Sequence, residues 1–347
     1  MPLTIIAGGQ FGSEGKGKAT AYLAQRDDVD IVVRCGSTNS GHTVWHGGEE
    51  FQLRMIPAGF VNERTTLMLA PGCLIDVAVL RAEAQTLGID RDRLIVDRNT
   101  SVIEVGDIEA ERISGLRDDI GSTLSGVGSA VARRVWRKAG TRTVADVPEL
   151  TEVATIADVS TLVNKSVGDN ARVIIEGTQG YGLSLYHTPE YPFATSRDTT
   201  AAGFLSEVGV GPRRVDEVIL AVRTFPIRVA GNSGPLPSEI TWDDVTRESG
   251  SPHAIIERTT TTHRVRRVAR FDLDIVRRAA QVNSATSVAL HGADYLDHRN
   301  VRASAYEELT DATRAFIEQL EHDLGIPVDL IGVGPKNEET IDRTVFP

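Results

Sequence analysis

The 347-residue sequence has few cysteines, few aromatic residues and no excess of positive charge. Its two cysteines, Cys35 and Cys73, cannot form a disulfide framework, so we expect a protein of the reducing cytoplasm. A formal net charge of −11 disfavours a general positive field, so we expect no nucleic-acid partner. Because no apolar run approaches the length of a membrane span and no apolar leader opens the chain, we expect no membrane partner either.

Seven short apolar segments, each typical of a buried strand, recur along the chain. They are residues 3–7, 30–34, 66–69, 94–96, 172–176, 218–222 and 287–291. Segments with helical periodicity at 76–87 and 201–208 lie between several of them, and 304–324 is typical of an amphipathic helix that ends at Gly325. The alternation predicts an α/β fold with a largely parallel central sheet flanked by helices. Long connections at 121–129, 177–200 and 229–239 predict functional loops within a single domain spanning 1–347.

A glycine-rich stretch follows the first predicted strand and precedes a predicted helix at 19–25. It reads Gly8-Gly9-Gln10-Phe11-Gly12-Ser13-Glu14-Gly15-Lys16-Gly17-Lys18. A loop between a strand and a helix N-terminus points backbone N–H groups at a phosphate, and glycines allow the close approach. The spacing fits neither a Walker A loop nor the dinucleotide fingerprint. We interpret it as a phosphate-binding loop of another kind, with a structural glycine-rich turn as the alternative.

The second predicted strand runs into a small polar loop that contains Asn39, Gly41 and His42. An imidazole with a pKa near ~6.5 suits a proton donor or an electrostatic stabiliser at neutral pH. The alternative is a histidine hydrogen-bonded for structure alone. Asn39 and the carbonyl of Gly41 can bind a ligand or an ion, or they can form an Asx turn.

Three further stretches carry polar or basic side chains. The hydroxyl- and glycine-rich loop 121–129 leads into basic residues as far as 142, which predicts a phosphate monoester site or a solvated basic face. Thr178 and Gln179 follow a predicted strand, where they can read the edge of a base or form a turn. Four threonines at 259–262 precede Arg264, Arg266 and Arg267, and they predict an anion site because a guanidinium binds a carboxylate or phosphate with two hydrogen bonds.

Taken together and in this order, these stretches resemble the adenylosuccinate synthetase family, whose members join aspartate to the 6-position of a purine nucleotide. The family's Gly-Asp-Glu-Gly-Lys-Gly-Lys corresponds to residues 12–18, its Asn-x-Gly-His-Thr to 39–43 and its Glu-Gly-x-Gln-Gly to 176–180. Residues 191–196, 261–267, 334–335 and 338–340 match its later loops. The likeness spans nearly the whole chain, and it implies a ligase that uses Mg²⁺ and a nucleoside triphosphate.

The resemblance implies a role for each matching residue. Ser13, Lys16 and His42 are implied in catalysis, and Ser13 with the carbonyl of Gly41 is implied in binding Mg²⁺. The implied purine-nucleotide contacts are Ser13, Asn39, Thr123, Gln179, Thr195, Arg264 and a basic residue, Arg137 or Lys138, supplied across a homodimer interface. The implied nucleoside triphosphate contacts are Gly12, Ser13, Glu14, Gly15, Lys16, Gly17, Lys18, Gly41, His42, Thr43, Arg266, Asp294 and Gly334. The implied aspartate contacts are Thr261, Thr262, Arg264 and Arg266.

Two residues depart from the family pattern. Ser13 stands where the family has an aspartate that takes the purine N1 proton, and a serine hydroxyl is neither a base at neutral pH nor a strong Mg²⁺ ligand. Serine also leaves space for the 2-amino group of a guanine. Gly292 stands where the family has a lysine that packs on the guanine of GTP, although Asp294 remains.

These departures are similar to those of the bacteriophage branch of the family, whose members act on dGMP. We therefore predict that the chain joins L-aspartate to dGMP with ATP or dATP. The product would be N6-succino-2-amino-2′-deoxyadenylate, a precursor of 2-aminoadenine in DNA. One alternative is the ordinary family reaction with IMP and GTP. Another is a catalytically impaired homologue that only binds nucleotides.

Overall fold

The computed structural model of the protein describes residues 3–259 and 263–344. The strands in these ranges are β1 (Leu3–Gly8), β2 (Ile31–Arg34), β3 (His42–His46), β4 (Glu49–Leu53), β5 (Thr66–Leu69), β6 (Leu74–Ile75), β7 (Leu94–Asp97), β8 (Ser101–Val102), β9 (Thr155–Ala157), β10 (Val173–Glu176), β11 (Glu217–Arg223), β12 (Ile227–Arg228), β13 (Glu239–Ile240), β14 (Arg267–Ala269), β15 (Ser287–His291), β16 (Val328–Gly332) and β17 (Thr340–Asp342). The α-helices are α1 (Lys16–Arg26), α2 (Val77–Thr86), α3 (Val105–Ile113), α4 (Leu116–Ile120), α5 (Val127–Val135), α6 (Val159–Gly168), α7 (Ala201–Val208), α8 (Trp242–Ser249), α9 (Leu273–Asn283), α10 (Ala293–Leu296) and α11 (Asp311–Leu324).

Ten strands form one central sheet in the order β17-β16-β15-β11-β1-β10-β2-β5-β7-β9. Every neighbouring pair is parallel except β16 and β17, which are antiparallel. The predicted α/β fold with a largely parallel sheet is therefore confirmed. None of the helices in residues 3–259 and 263–344 is both long enough and apolar enough to span a membrane.

All seven predicted strands are present, as β1, β2, β5, β7, β10, β11 and β15. Their apolar side chains are buried because helices cover the sheet, and Ile5, Val33 and Ile175 are completely inaccessible to solvent. Because both faces of these strands are buried, the strands lack the alternation of apolar and polar residues. Their continuous apolar runs nevertheless predicted them correctly.

The helix predictions at 76–87 and 201–208 are confirmed by α2 and α7. The prediction at 304–324 is wrong for its first seven residues, because α11 begins only at Asp311. The Glu308 carboxylate accepts a 2.7 Å hydrogen bond from the Ser304 amide, and the side chain of Asn300 accepts one of 3.0 Å from the Thr310 amide. These local side-chain bonds compete with helix formation upstream of Asp311. The predicted end at Gly325 is confirmed by its left-handed φ of 68°.

The register of the central strands brings the polar loops to one edge of the sheet. Ile6 of β1 pairs with Glu176 of β10, and Glu176 pairs with Arg34 of β2. On the other side of β1, Gly8 pairs with Ala221 of β11. Parallel strands end at a common edge, so the loops after β1, β2, β10, β11 and β15 meet there, as binding sites of open α/β sheets do.

Candidate active site

The glycine-rich loop closes around its own carboxylate. The Glu14 side chain is fully buried and accepts hydrogen bonds from the amides of Gln10, at 3.1 Å, and Gly12, at 2.7 Å. It also forms a 2.6 Å ion pair with Lys16. The Glu14 carboxylate thus binds loop amides that we expected, from the sequence, to bind a phosphate. Its role as a contact to the nucleoside triphosphate stays a prediction, and the contacts of its side chain in this structure lie within the loop.

Two glycines of the loop are required by the close approach of histidines. Gly15 has a φ of +91°, and a Cβ at this position would lie 2.4 Å from Cδ2 of His291. A Cβ on Gly17 would lie 2.9 Å from Cβ of His42. Any side chain at either position would therefore displace an imidazole that packs against the loop.

The two lysines of the loop bind carbonyl groups from distant segments. Lys16 Nζ donates to the carbonyl of Gln179 in the loop after β10. Lys18 Nζ donates to the carbonyls of Gly334, at 2.6 Å, and Glu339, at 2.7 Å. Burial lowers the pKa of Lys18 to about 8, although Asp294 and Glu339 oppose the shift. The structure therefore brings the predicted contacts Lys16, Lys18, Gln179 and Gly334 to one place.

His42 begins β3 and belongs to a buried cluster of charged residues. Its Nδ1 pairs with the Glu176 carboxylate, which also pairs with Arg34 at 3.0 Å. Nε2 of His42 lies 3.3 Å from the carbonyl of Ile56. Burial alone would raise the pKa of Glu176, but the charges of His42 and Arg34 and the hydrogen bonds outweigh it, so that the pKa is lowered. An ionised Glu176 holds the imidazole in one orientation.

The residues around His42 reach toward the loop after β10. Asn39 Nδ2 donates a long hydrogen bond of 3.4 Å to Thr195 Oγ1, which joins two predicted purine-nucleotide contacts. Gly41 directly precedes His42, and Thr43 pairs with Gln52 in the β3–β4 hairpin. The predicted contacts at 39–43 therefore line the same edge of the sheet as the glycine-rich loop.

Ser13 lies at the most strained point of this loop. It has a φ of 56°, and its carbonyl accepts a 3.1 Å hydrogen bond from Arg223 Nη1. Among the residues that the structure describes, none hydrogen-bonds to the Ser13 hydroxyl. The side chain is thus free to contact a ligand, whereas its backbone is fixed from β11.

Thr123 lies at a separate, more open place. Its exposed hydroxyl lies 2.8 Å from that of Ser125, and Thr123 lines a cavity of about 510 Å³ with Arg112, Arg117 and others. The Glu111 carboxylate accepts hydrogen bonds from the amides of Gly126, at 2.8 Å, and Gly128, at 2.7 Å, at the start of α5. A carboxylate of the protein therefore binds where the sequence suggested a phosphate monoester.

The basic residues after this loop divide into two groups. Arg133 forms a 2.8 Å ion pair with Asp107, and Arg134 donates to the Ser101 hydroxyl at 2.6 Å. These two guanidinium groups serve the packing of α5. Arg137 and Lys138 follow the helix, are exposed, and make no side-chain hydrogen bond or ion pair within the described ranges. They do not contact the glycine-rich loop of their own chain.

The arginines of the threonine and arginine segment differ in exposure. Arg264 is exposed, and a Cβ on Gly231 would lie 3.6 Å from its Nη2. Arg266 is partly buried, and Nε donates to the carbonyl of Arg258 at 3.2 Å. Burial lowers the pKa of Arg266, although the charge of Glu257 opposes the shift. Thr261 and Thr262, the other predicted aspartate contacts, lie outside the described residues.

The loop after β15 carries the second departure from the family pattern. Gly292 has a φ of +85°, and a Cβ there would lie 2.7 Å from Oγ1 of Thr224. That hydroxyl donates to the carbonyl of Gly292 at 2.7 Å. Burial raises the pKa of Asp294 to about 6, against the charge of Lys18. Asp294 and Lys18 are therefore close enough to interact.

Four charged residues near the site, Arg34, Glu176, Arg223 and Glu257, were not predicted from the sequence to have a role. Arg34, Glu176 and Arg223 each end an apolar strand with a charged side chain, and this pattern is a usable signal of a residue at the functional edge. Glu257 carried no such signal. Of this group, Arg223 binds the loop at the carbonyl of Ser13, and His42, paired with Glu176, lies beside Gly17. Groups held in place in this way can stabilise a transferring phosphoryl group.

The sequence is similar to known proteins over nearly its whole length. The pattern of the family described as adenylosuccinate synthetase matches residues 5–153 and 141–301. The adenylosuccinate synthetase of Pyrococcus sp. (strain ST700) is 40% identical over 347 residues, which cover 99% of this chain and 99% of that protein. That of Archaeoglobus fulgidus is 42% identical over 344 residues, which cover 99% of this chain and 98% of that protein.

Two solved structures have a similar fold. One is the succinoaminodeoxyadenylate synthetase (PurZ) of cyanophage S-2L bound to dGMP and dATP as an energy donor. It has a TM-score of 0.85 and 27% identity, over 98% of this chain and 95% of that one. The other is the fully ligated adenylosuccinate synthetase of Plasmodium falciparum, with a TM-score of 0.88 and 21% identity, over 99% of this chain and 100% of that one. At this lower identity the second likeness concerns the fold alone.

Proposed function

Because this chain belongs to the adenylosuccinate synthetase family and is a ligase that forms carbon–nitrogen bonds, we propose that it joins L-aspartate to the 6-position of dGMP. ATP or dATP supplies the phosphoryl group. The product is N6-succino-2-amino-2′-deoxyadenylate, a precursor of 2-aminoadenine in DNA. The observation that carries the choice of dGMP is Ser13, whose small hydroxyl has no partner among the described residues.

The shape and charge of residue 13 favour dGMP over IMP. Guanine differs from hypoxanthine by an amino group at the 2-position, and this group needs space and a hydrogen-bond acceptor. A free serine hydroxyl offers both, whereas an aspartate fills the space with a charged group. The loop backbone at Ser13 is held by Arg223, so the residue keeps its place in the loop while its hydroxyl is free to turn toward the base. The cyanophage structure bound to dGMP supports this choice.

Gly292 favours an adenine nucleotide as the phosphoryl donor. Its left-handed φ and the nearness of Thr224 Oγ1 exclude a lysine without a local rearrangement. The side chain that packs on guanine in the wider family is therefore absent. The dATP named as energy donor in the cyanophage structure supports the same choice.

The reaction proceeds in two steps on this proposal. The γ-phosphoryl group of the triphosphate passes to O6 of dGMP and leaves the nucleoside diphosphate. The amine of aspartate then attacks C6 and displaces phosphate. His42, oriented by Glu176, stabilises the transferring phosphoryl group, and Lys16 and Lys18 offset its negative charge. Arg264 and Arg266 bind the carboxylates of aspartate, and Arg264 also contacts the purine nucleotide.

The oxygen atoms that would hold a magnesium ion are the carbonyl of Gly41 and, as a weaker ligand, the hydroxyl of Ser13. Mg²⁺ takes one or two protein ligands together with phosphate oxygens and water, and the unpartnered Ser13 hydroxyl is available as one of them. No group of three or more His, Cys, Asp or Glu side chains in residues 3–259 and 263–344 is placed to hold a metal ion, so phosphate oxygens would complete the site. When bound, the ion neutralises charge on the triphosphate.

The same proposal includes a homodimer in the cytoplasm. Arg137 or Lys138 contacts the purine nucleotide of the partner subunit, and both are free to do so. Beside them Val135 and Trp136 are 70% and 72% exposed, as expected of apolar residues that a second copy covers. Cys35 and Cys73 are buried free thiols, in keeping with a reducing compartment.

A second candidate is the ordinary reaction with IMP and GTP. It is favoured by the names of the relatives that are 40% and 42% identical to this chain. Incubation with aspartate and Mg²⁺ in every pairing of dGMP or IMP with ATP, dATP or GTP tests both candidates. We expect turnover with dGMP and an adenine nucleotide. Turnover with IMP but not dGMP would overturn the proposal, and binding without turnover would indicate an impaired homologue.

A further inference from the structure

Arg223 is a buried cation that the reaction described above does not use. It ends β11, next to the central strand β1, and its side chain is only 12% exposed. Its guanidinium donates to the carbonyls of Ser13, at 3.1 Å, and Phe225, at 3.3 Å, and forms an ion pair with Glu257. One side chain thus joins three separate segments.

The backbone of Arg223 is also bound to the glycine-rich loop. Gln10 Nε2 donates to the carbonyl of Arg223 at 3.0 Å, and the Arg223 amide donates to Gln10 Oε1 at 2.9 Å. Together with the bond to Ser13, three hydrogen bonds fix residue 223 relative to the loop. Movement of Ser13 therefore requires movement of the Arg223 side chain.

The partner of Arg223 is bound to the segment that carries the aspartate contacts. The carbonyl of Glu257 accepts a 2.9 Å hydrogen bond from the Arg266 amide. Tyr295, the neighbour of Asp294, donates through its hydroxyl to the Glu257 carboxylate at 2.9 Å. Burial alone would raise the pKa of Glu257, but Arg223 and the hydrogen bonds outweigh it and lower the pKa. The ion pair is thus formed at neutral pH.

We propose that Arg223 is a positioning residue that couples binding of the purine nucleotide at Ser13 to binding of aspartate at Arg264 and Arg266. The inference rests on the proposed function of these two sites. The amine of aspartate must meet C6 of the purine at about 3–3.5 Å, and small errors of placement are costly. The two ligands are held by segments far apart in sequence, and the Arg223–Glu257 pair sets their relative position.

The coupling is measured by calorimetric titration of L-aspartate into the protein with and without saturating dGMP, and then IMP. We expect the nucleotide to strengthen aspartate binding by about fivefold or more, in the range of ordinary coupling between sites. In Arg223→Lys, which keeps the charge but loses the forked hydrogen bonds, this enhancement should fall below about twofold. Glu257→Gln, which keeps the shape but loses the charge, should behave in the same way.

One control variant and one further variant complete the test of coupling between the two binding sites. Arg270→Gln removes a partly exposed pair with Glu248 and should keep the full enhancement. Tyr295→Phe removes one hydrogen bond to Glu257, so the enhancement of aspartate binding should lie between those of the wild-type protein and Glu257→Gln. This variant tests the inference even if Arg223→Lys does not fold. A wild-type protein in which neither nucleotide strengthens aspartate binding overturns the inference, as does an enhancement that survives in both Glu257→Gln and Tyr295→Phe. Turnover of the wild-type protein with each nucleotide tests the proposed function separately.

Discussion

The edge of the central sheet and the outer loops of this molecule differ in how their polar side chains are held. At the edge, Lys16, His42 and Glu176 are buried or nearly so, and other protein groups bind them. In the outer loops, Thr123 and Arg264 are exposed. The groups implied in phosphoryl transfer are thus fixed before substrate binds, whereas Thr123 and Arg264, both implied in substrate binding, are open to solvent. We expect substitutions at the edge to lower the rate and substitutions in the loops to weaken binding.

His42→Asn should have the largest effect. Loss of the imidazole beside the transferring phosphoryl group should lower kcat by about 10²–10³-fold, as does removal of one preorganised stabilising group in other enzymes. Steady-state kinetics with saturating aspartate and nucleotides gives the measurement. His46→Asn, in the same hairpin but exposed, is the control. A loss of less than about fivefold would show that the cluster at the sheet edge serves structure only.

Glu176→Gln should have the next largest effect. A hydrogen bond to a charged group contributes about 2 kcal/mol, so its loss should lower kcat by about 30-fold and leave the KM values nearly unchanged. A rise in the KM for aspartate with an unchanged kcat would show that Glu176 acts in substrate binding, contrary to the expected difference between the sheet edge and the outer loops. Thermal unfolding of the variant shows whether the change also destabilises the buried cluster.

Ser13→Asp tests the position that joins the two regions, because its backbone is fixed and its side chain is free. We expect the ratio of kcat/KM for dGMP to that for IMP to fall by about tenfold or more, equivalent to at least 1.4 kcal/mol. Ser13→Ala keeps the space but removes the hydrogen-bond acceptor, so it should lower this ratio by less than Ser13→Asp does. An unchanged ratio in the aspartate variant would refute the argument from space and charge.

Arg264→Gln tests the outer loops. We expect the KM for aspartate to rise by about tenfold, because a charge-assisted hydrogen bond is lost, while kcat changes little. Arg270→Gln again supplies a control outside the site. If kcat falls by a larger factor than the KM rises, Arg264 acts mainly in the chemical step, as expected of the groups at the sheet edge and not of an outer-loop residue.

The smallest predicted effect concerns pH. Lys18 has a pKa of about 8 in the free protein, so it is charged below this pH and neutral above it. The charged form attracts a triphosphate, and kcat/KM for the donor nucleotide should therefore fall several-fold as the pH rises through about 8. Lys18→Arg stays charged and should remove this fall. A fall that persists in the arginine variant must come from another group.

The central strands and the glycine-rich loop between β1 and α1 could be predicted from the sequence because each depends on neighbouring residues. The loop composition at 8–18 and the apolar runs before it are local signals. The partners of the loop residues could not be read in this way. Glu14 and Glu111 each bind backbone amides that the sequence had suggested for phosphate, and nothing in a motif distinguishes such a carboxylate from a ligand contact.

The sequence by itself determined the family, the order of the strands along the chain and the unusual serine at position 13. These follow from short motifs, each of which is complete within a few residues. Only the tertiary structure decided that Arg223 holds Ser13, across 210 positions of sequence, and that Glu176 orients His42. Such contacts depend on which strands lie side by side in the sheet, and the register of parallel strands is set by packing of the whole core rather than by any one segment.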